Sequence, residues 1–555
     1  MDARRVRAMS VSSPEVVSVP SRPRERVARA APWVAAIVVA LPVLAYRYPP
    51  MFDLPCHEEI VAAMRYAGDA GRYPFGLMAW NIGHANQLFY FLAWPLSYVV
   101  PVDLSCKLVI AASVACAPLA AARLADYVGA TRAAAVVVAP LALGFAFTFG
   151  FVGNVLGLTL FLGLLPTIDR FARKPSTKGM IGVVAAFAAL FAAHEMALAF
   201  GVLSLVTLSV AQPLRPRATV QRLAPISFSL LGLLVEHRST LQSRGPTLAG
   251  LPSVIDLATW QKLDQIPEAL LGRHGDVTTR PAFLALLAVI TLLVLDRFHS
   301  RARNGGAFPS VRALLDANRF ALLGLVLIVA YFVFPFSVTG AMWLHARFLA
   351  PGVAILTVAV ARRNGTVPWV VQIASFVAVA AQLLLLRPEF EATSAVYRDL
   401  DPLLARIEPG SAVADVDVVG GPLRNLVFSV GGAAARAAAT RGGRMAVSFT
   451  QTTPIPPVVI AREHRWDGAL KRMSGDGVGL RPAFDLRRFR YVLAWTFPAQ
   501  VDAVERAMAP EARLVATSGG WLLFESTLPL SPLLSDEPAV GTEESVGQRL
   551  RAMTR

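Results

Sequence analysis

The chain is dominated by apolar runs near the length needed to cross a bilayer, and this constrains its fold more than any other feature. About eleven such runs are present, at 31–46, 105–125, 133–150, 153–169, 179–193, 196–211, 223–237, 281–296, 319–337, 347–361 and 367–386. A perpendicular span needs roughly 20 residues, so the shorter runs sit at the lower edge of the range. Bulk composition points the same way: of 555 residues, 55% are hydrophobic and 16% charged, whereas soluble domains are about one quarter charged. The expectation is an α-helical polytopic membrane bundle.

The formal net charge is +16, but the placement of the Lys and Arg residues argues against nucleic acid. They cluster between apolar runs and do not interleave with aromatics as a nucleic-acid groove requires. With the N-terminus in the cytosol, Arg123 and Arg132, the group Arg170–Lys178, Arg215–Arg222, Arg297–Arg319, and Arg362 with Arg363 all fall in cytosolic loops. The short outer turns near 151, near 194 and at 338–346 carry no Lys or Arg, which is the positive-inside pattern. Leu88–Val100 is left out of the count. It is about 13 residues long, ends at Pro101 and carries Tyr90, Trp94 and Tyr98, which suits a helix lying in the interface. Met180–Ala211 is one apolar stretch. Both its flanks are basic, so it is read as two helices meeting at His194-Glu195.

Four regions follow. Residues 1–30 hold seven arginines and read as a disordered cytosolic tail. Residues 31–389 form the membrane domain, with long outer loops at 47–104 and 238–280. Over 390–527 the composition changes. Ser411–Val419, Arg490–Phe497, Arg513–Thr517 and Trp521–Glu525 alternate like strands, and Ala499–Ala509 reads as a helix. This predicts a small extracytoplasmic α/β domain. Residues 528–555 are polar and read as disordered. Cys56 and Cys106 fall at the two ends of the first outer loop, where a disulfide is permitted.

The sequence contains no Walker loop, no G-x-G-x-x-G after a strand, no H-E-x-x-H and no G-x-S-x-G. Polar residues are costly inside a bilayer, so their positions are informative. Under this topology they gather at the outer mouth of the bundle: Asp53, His57, Glu58 and Glu59 after the first span, Asn81, His84 and Asn86 further along that loop, then Asn154, His194 with Glu195, and His345 with Arg347. Each has a purely structural reading as well. Asp53 fits a helix cap before Pro55, Glu58 and Glu59 a solvated face, Asn154 a turn, His194-Glu195 a wet corner, and Arg347 a headgroup anchor.

The stretch Phe52-Asp53-Leu54-Pro55-Cys56-His57-Glu58-Glu59 resembles the D-x-P-x-H pattern of bacterial members of the GT-C superfamily of polytopic glycosyltransferases, and His345–Pro351 resembles their R-F-L helix start. The shared plan is a first span, a long outer loop opening on an acidic residue, many further spans and often a C-terminal extracytoplasmic domain. Better-known members often show an acidic pair after the first span, and here Asp53 stands alone until Glu58.

The resemblance implies a bacterial cytoplasmic (inner) membrane protein that transfers a sugar from a polyprenyl-phosphate-linked donor to a glycan, lipid or protein acceptor at the outer face. Asp53 would be the base. His57, Glu58, His84, Asn154, His194, Glu195, His345 and Arg347 would bind substrate, with Arg347 on the donor phosphate. The residues leave a divalent metal open and point to no other cofactor. Two readings from other classes stay open: a transporter or lipid flippase, which calls for repeated halves and broken helices, and a non-catalytic membrane scaffold.

Overall fold

The computed structural model describes residues 22–244, 254–272, scattered positions over 283–291, 311–338, 341–361, 368–418, 432–452, 455–461, 464, 479–531 and 544–553. The predicted span 281–296 and the first 21 residues of the predicted tail lie largely outside the described residues.

The chain is a helical membrane protein. Among the described residues five helices are long and apolar enough to cross a bilayer, and five shorter apolar segments accompany them. The helices are α1 (Arg22–Ala45), α2 (Leu54–Tyr66), α3 (Leu88–Leu96), α4 (Val102–Val128), α5 (Val138–Ala142), α6 (Phe145–Thr148), α7 (Val152–Arg173), α8 (Thr177–Ala193), α9 (Glu195–Val210), α10 (Pro216–Arg244), α11 (Thr259–Asp264), α12 (Ile266–Leu271), α13 (Arg319–Val333), α14 (Leu349–Val360) and α15 (Pro368–Leu404). Trp33, Ile37 and Leu41 on α1 and Phe228, Leu230, Leu231 and Leu234 on α10 are exposed. An apolar face of this extent is stable only against lipid or a partner. The opposite faces pack inward, α1 on α4 and α4 on α7. Where α13 crosses α14, a Cβ on Gly324 would lie 2.9 Å from the Gly352 carbonyl oxygen, so small residues let these backbones approach closely.

Two predicted runs differ in form, and the excluded one stays short. The run 133–150 is not one continuous helix. A 3-10 turn at Arg132–Val137 leads into α5 and α6, separated at Gly144. A Cβ on Gly144 would clash with the Leu270 carbonyl oxygen, so α12 presses into the break. The last run does not stop at 386. Helix α15 continues to Leu404, through Pro388 and Pro402, into the C-terminal part. Leu88–Val100 forms only the nine-residue α3, about 13 Å long and too short to span.

Met180–Ala211 divides at His194, which has extended backbone (φ −171°, ψ 141°) and accepts the Met196 N–H at Nδ1 as the N-cap of α9. At the far end of the bundle, Asp169 of α7 is fully buried. It accepts from Arg319 Nε at 2.7 Å, Arg319 Nη2 at 2.9 Å and Tyr127 Oη at 2.7 Å, tying α7, α13 and α4 together.

The C-terminal part is a mixed four-stranded sheet of order β5-β7-β9-β8, from β5 (Val413–Asp417), β7 (Tyr491–Trp495), β8 (Ala512–Ser518) and β9 (Trp521–Ser526). β5 and β7 are parallel and the other pairs antiparallel. Helices α16 (Gly432–Arg441), α17 (Phe449–Thr452), α18 (Val501–Met508) and α19 (Val546–Met553) accompany it. Helix α19 corrects the expectation of disorder throughout 528–555. Val546 is buried, and Arg549 pairs with both Glu511 carboxylate oxygens at 3.0 Å. The module interlocks with the segment between α1 and α4, where β1 (Met78–Trp80) pairs antiparallel with β6 (Val458–Ile460). Two short ladders join β2 (Val254–Ile255), β3 (Ser337–Val338) and β4 (Ala341–Met342). Cys56, Cys106 and Cys116 are all free thiols, so the permitted disulfide is not formed.

Candidate active site

Asp53 sits at the N-cap position of α2, yet its side chain makes no capping hydrogen bond. Its backbone is pinned instead, the N–H donating to the Phe149 carbonyl at 3.2 Å. Gly150 follows immediately, with φ +78°, and a Cβ there would lie 2.5 Å from Asp53 N. Both the left-handed backbone and the close approach require glycine. His57 Nε2 lies 3.1 Å from the Gly150 carbonyl and Nδ1 2.7 Å from Tyr90 Oη. A carbonyl only accepts, so Nε2 carries the proton and Nδ1 accepts from the tyrosine. His57 is therefore a neutral strut between α2, α3 and the bundle, and burial pushes it down to about 4.

Burial pushes the Asp53 carboxyl up to about 7, while the positive charge of Arg347 pulls it back. Arg347 enters from the 3-10 turn His345–Phe348 that precedes α14. Its Nη1 lies 3.0 Å from His194 Nε2, its Nη2 donates to the Met342 carbonyl at 3.2 Å, and its guanidinium lies 4.4 Å from the centre of the Phe151 ring. Glu195 follows His194, whose Nδ1 lies 3.7 Å from Glu195 Oε2. The Glu195 N–H donates to Asn86 Oδ1 at 3.3 Å. Asn86 has φ +62°, a conformation Asn tolerates better than most residues.

Beside this cluster a small cleft opens between α5, α6, α7, α9, α12 and α14. Its walls are apolar, including Leu141, Phe145, Leu158, Phe200 and Pro351, except for Asn154 and Arg347. Asn154 Nδ2, Arg347 Nε and Glu195 Oε2 are buried and have no hydrogen-bond partner among the described residues. Buried donors of this kind are expensive to leave unmade, and two of them face one cleft.

The fold thus gathers Asp53, Asn154, His194, Glu195 and Arg347. It places the other expected residues elsewhere. Glu58 is buried in an ion pair with Arg436 of α16, at 3.0 Å. The reason is helical geometry: five residues after Asp53, its side chain points about 140° away around the axis of α2. Glu59 accepts from Ser448 Oγ at 3.0 Å and Thr450 Oγ1 at 3.2 Å. His345 is fully buried, with Nε2 3.2 Å from Gln265 Oε1 and its ring against Tyr331, so it faces α11, α12 and α13. His84 lies in the turn closed by Gln87, whose Oε1 accepts the Gly83 and His84 N–H groups. Gly150 and Phe151 went unremarked in the sequence. Their signal was the glycine and asparagine spacing of Gly150, Gly153 and Asn154 at a predicted outer turn. Among the described residues no three His, Cys, Asp or Glu side chains gather to hold a metal ion.

No family model matches the chain, and no curated protein matches it. Among solved structures it is similar to ArnT from Cupriavidus metallidurans in the apo state, with 13% identity and a TM-score of 0.49 over 88% of this chain and 96% of that one. It is similar to the same protein bound to undecaprenyl phosphate, with 13% identity and a TM-score of 0.44 over the same shares. For arabinofuranosyltransferase AftD from Mycobacteria the identity is 15% and the TM-score 0.46. This chain is covered over 93% of its length there but spans only 40% of that protein.

Proposed function

We propose that the protein is a GT-C-type glycosyltransferase that moves a sugar from a polyprenyl-phosphate carrier to a hydroxyl acceptor at the outer face of the cytoplasmic membrane. One observation carries this reading. Among the described residues the donors Arg347 Nε and Asn154 Nδ2 stand unpartnered at an otherwise apolar cleft, and the Arg347 charge acts on the Asp53 carboxyl. The chemistry of this lining suits an anionic headgroup on an apolar tail, with guanidinium and amide taking the phosphate.

In the proposed step Asp53 accepts the proton of the acceptor hydroxyl, and that oxygen bonds to the anomeric carbon. The bond from that carbon to the phosphate oxygen breaks, and polyprenyl phosphate leaves with the electron pair. A carboxyl near neutrality is matched to a general base at physiological pH. Arg347, which stands beside His194, and Asn154 hold the charge that grows on the leaving phosphate. The sugar and the acceptor are left open.

The test is a pair of variants of the full-length protein in lipid nanodiscs. Asp53→Asn is expected to abolish sugar transfer and to retain undecaprenyl phosphate binding. Arg347→Lys is expected to lose binding, because a point charge does not reproduce the guanidinium fork. Near-parental transfer by Asp53→Asn, or unchanged binding by Arg347→Lys, would remove the reading.

A further inference from the structure

We infer that Arg436, far from Asp53 in the chain, is a positioning residue for it, and that the C-terminal module is thereby the second half of the catalytic unit. This rests on the reading of Asp53 as the base.

Helix α2 is gripped from two sides. The bundle holds its first turn through the Asp53 N–H, His57 and Gly150. The C-terminal module holds the next face. Arg436 Nη2 lies 3.0 Å from Glu58 Oε2, and the two side chains are only 4% and 3% exposed. The Arg436 guanidinium also lies 4.2 Å from the centre of the Tyr48 ring and 4.7 Å from that of Tyr397. Glu59, next in sequence, is held by Ser448 and Thr450. The start of α16 rests on the first turn of α2, since a Cβ on Gly432 would lie 2.9 Å from Pro55 Cγ. The rest of the loop is laced to the same module. The Gly443 N–H donates to the Arg72 carbonyl at 2.7 Å, Tyr73 Oη to the Ala438 carbonyl at 3.3 Å, and Asn81 Nδ2 to the Pro456 carbonyl at 2.9 Å.

A buried ion pair is a poor way to gain stability, because desolvation offsets the attraction and well-packed apolar side chains often do as well. A cation held on one carboxylate oxygen between two aromatic rings fixes an angle, which apolar packing does not. Each residue turns an α-helix by about 100°, so a slip of α2 against apolar contacts would swing Asp53 out of the Arg347 cluster. The Glu58–Arg436 pair between two tyrosine rings sets the rotation of α2, and with it the direction of the base.

The free thiol of Cys56, half-buried on α2 against the C-terminal core, reports this docking directly. In full-length protein carrying Cys116→Ser, labelling by a membrane-impermeant maleimide is followed, with Cys106 buried. Arg436→Met is expected to raise Cys56 labelling and to lower kcat about 100-fold, the scale of a misplaced catalytic group. The donor is the undecaprenyl-phosphate-linked sugar that the parent protein uses best. Undecaprenyl phosphate affinity is expected to stay unchanged, because Arg347 stands on another element. Arg436→Lys, which keeps the charge on Glu58, is expected to restore protection and most of kcat. If Arg436→Met does not fold, Glu58→Gln is read the same way. Parental Cys56 protection or parental kcat in a folded variant overturns the inference. Failure of the parent to transfer any sugar would instead count against the glycosyltransferase reading, and the labelling would still decide whether Arg436 holds α2.

Discussion

His194 Nε2 lies 3.0 Å from Arg347 Nη1, while His194 Nδ1 lies 3.0 Å from the Met196 backbone nitrogen. Both neighbours are donors, and a neutral imidazole has one accepting nitrogen. The ring therefore either steadies Arg347 and turns an Nδ1–H toward Glu195, or caps α9 and lets Arg347 go. His194→Asn separates the two roles. Its amide oxygen still caps the helix but is too short to reach the guanidinium. The expected outcome is a parental Tm with undecaprenyl phosphate affinity weakened about tenfold, the worth of one lost hydrogen bond of about 1.4 kcal/mol. His194→Ala is expected to lose about 1 kcal/mol of stability as well. Calorimetric titration and thermal unfolding check both, and unchanged affinity in the two variants would free Arg347 from any dependence on His194.

Gly150→Ala tests the close approach under Asp53. The added methyl would stand 2.5 Å from Asp53 N at a φ of +78°, so both the backbone and the neighbour must move. A loss of about 1–2 kcal/mol of stability is expected from the left-handed conformation, with kcat down about 100-fold from displacement of the base. Full activity in the alanine variant would show that Asp53 does not depend on this contact.

The pH–rate profile follows from the raised Asp53 carboxyl. Burial pushes it up to about 7, and a general base must be ionised to act. The turnover should therefore be flat above about 7 and fall about tenfold per pH unit below it. A flat profile down to about pH 5 would exclude Asp53 as the titrating base.

At the other end of the bundle Asp169→Asn leaves Arg319 only the longer pair with Asp316, at 3.7 Å. The Arg319–Asp169 contacts of 2.7 and 2.9 Å are lost as charge pairs, at a cost of about 3 kcal/mol. Undecaprenyl phosphate affinity of the folded fraction should be unchanged, because this cluster joins the far ends of α4, α7 and α13. Reduced affinity at parental stability would mean that the cluster communicates with the cleft.

The proposed orientation predicts that reporter fusions after residues 175 and 400 read cytosolic and external, since Lys and Arg are retained inside. A cytosolic signal at 400 would place Asp53 and the C-terminal module on the wrong side for an extracytoplasmic acceptor.

The local part of the fold was legible in the sequence because it depends on local periodicity. Apolar run length marked the bundle helices, and the arginine clusters required Met180–Ala211 to fold back, which it does at His194. Period-2 alternation marked the four strands of the C-terminal sheet. The cost of polar groups in a bilayer brought Asp53, Asn154, His194, Glu195 and Arg347 to one end. What the sequence did not reveal depends on which distant surfaces meet. Glu58 and Glu59 look like neighbours of Asp53 in the chain, but the rotation of α2 delivers them to Arg436 and Ser448. The pairing of β1 with β6, the pressing of Leu270 against Gly144 and the docking of α19 on α18 have no counterpart in spacing or composition. Periodicity states which face of an element is buried, and only tertiary packing decides what that face meets.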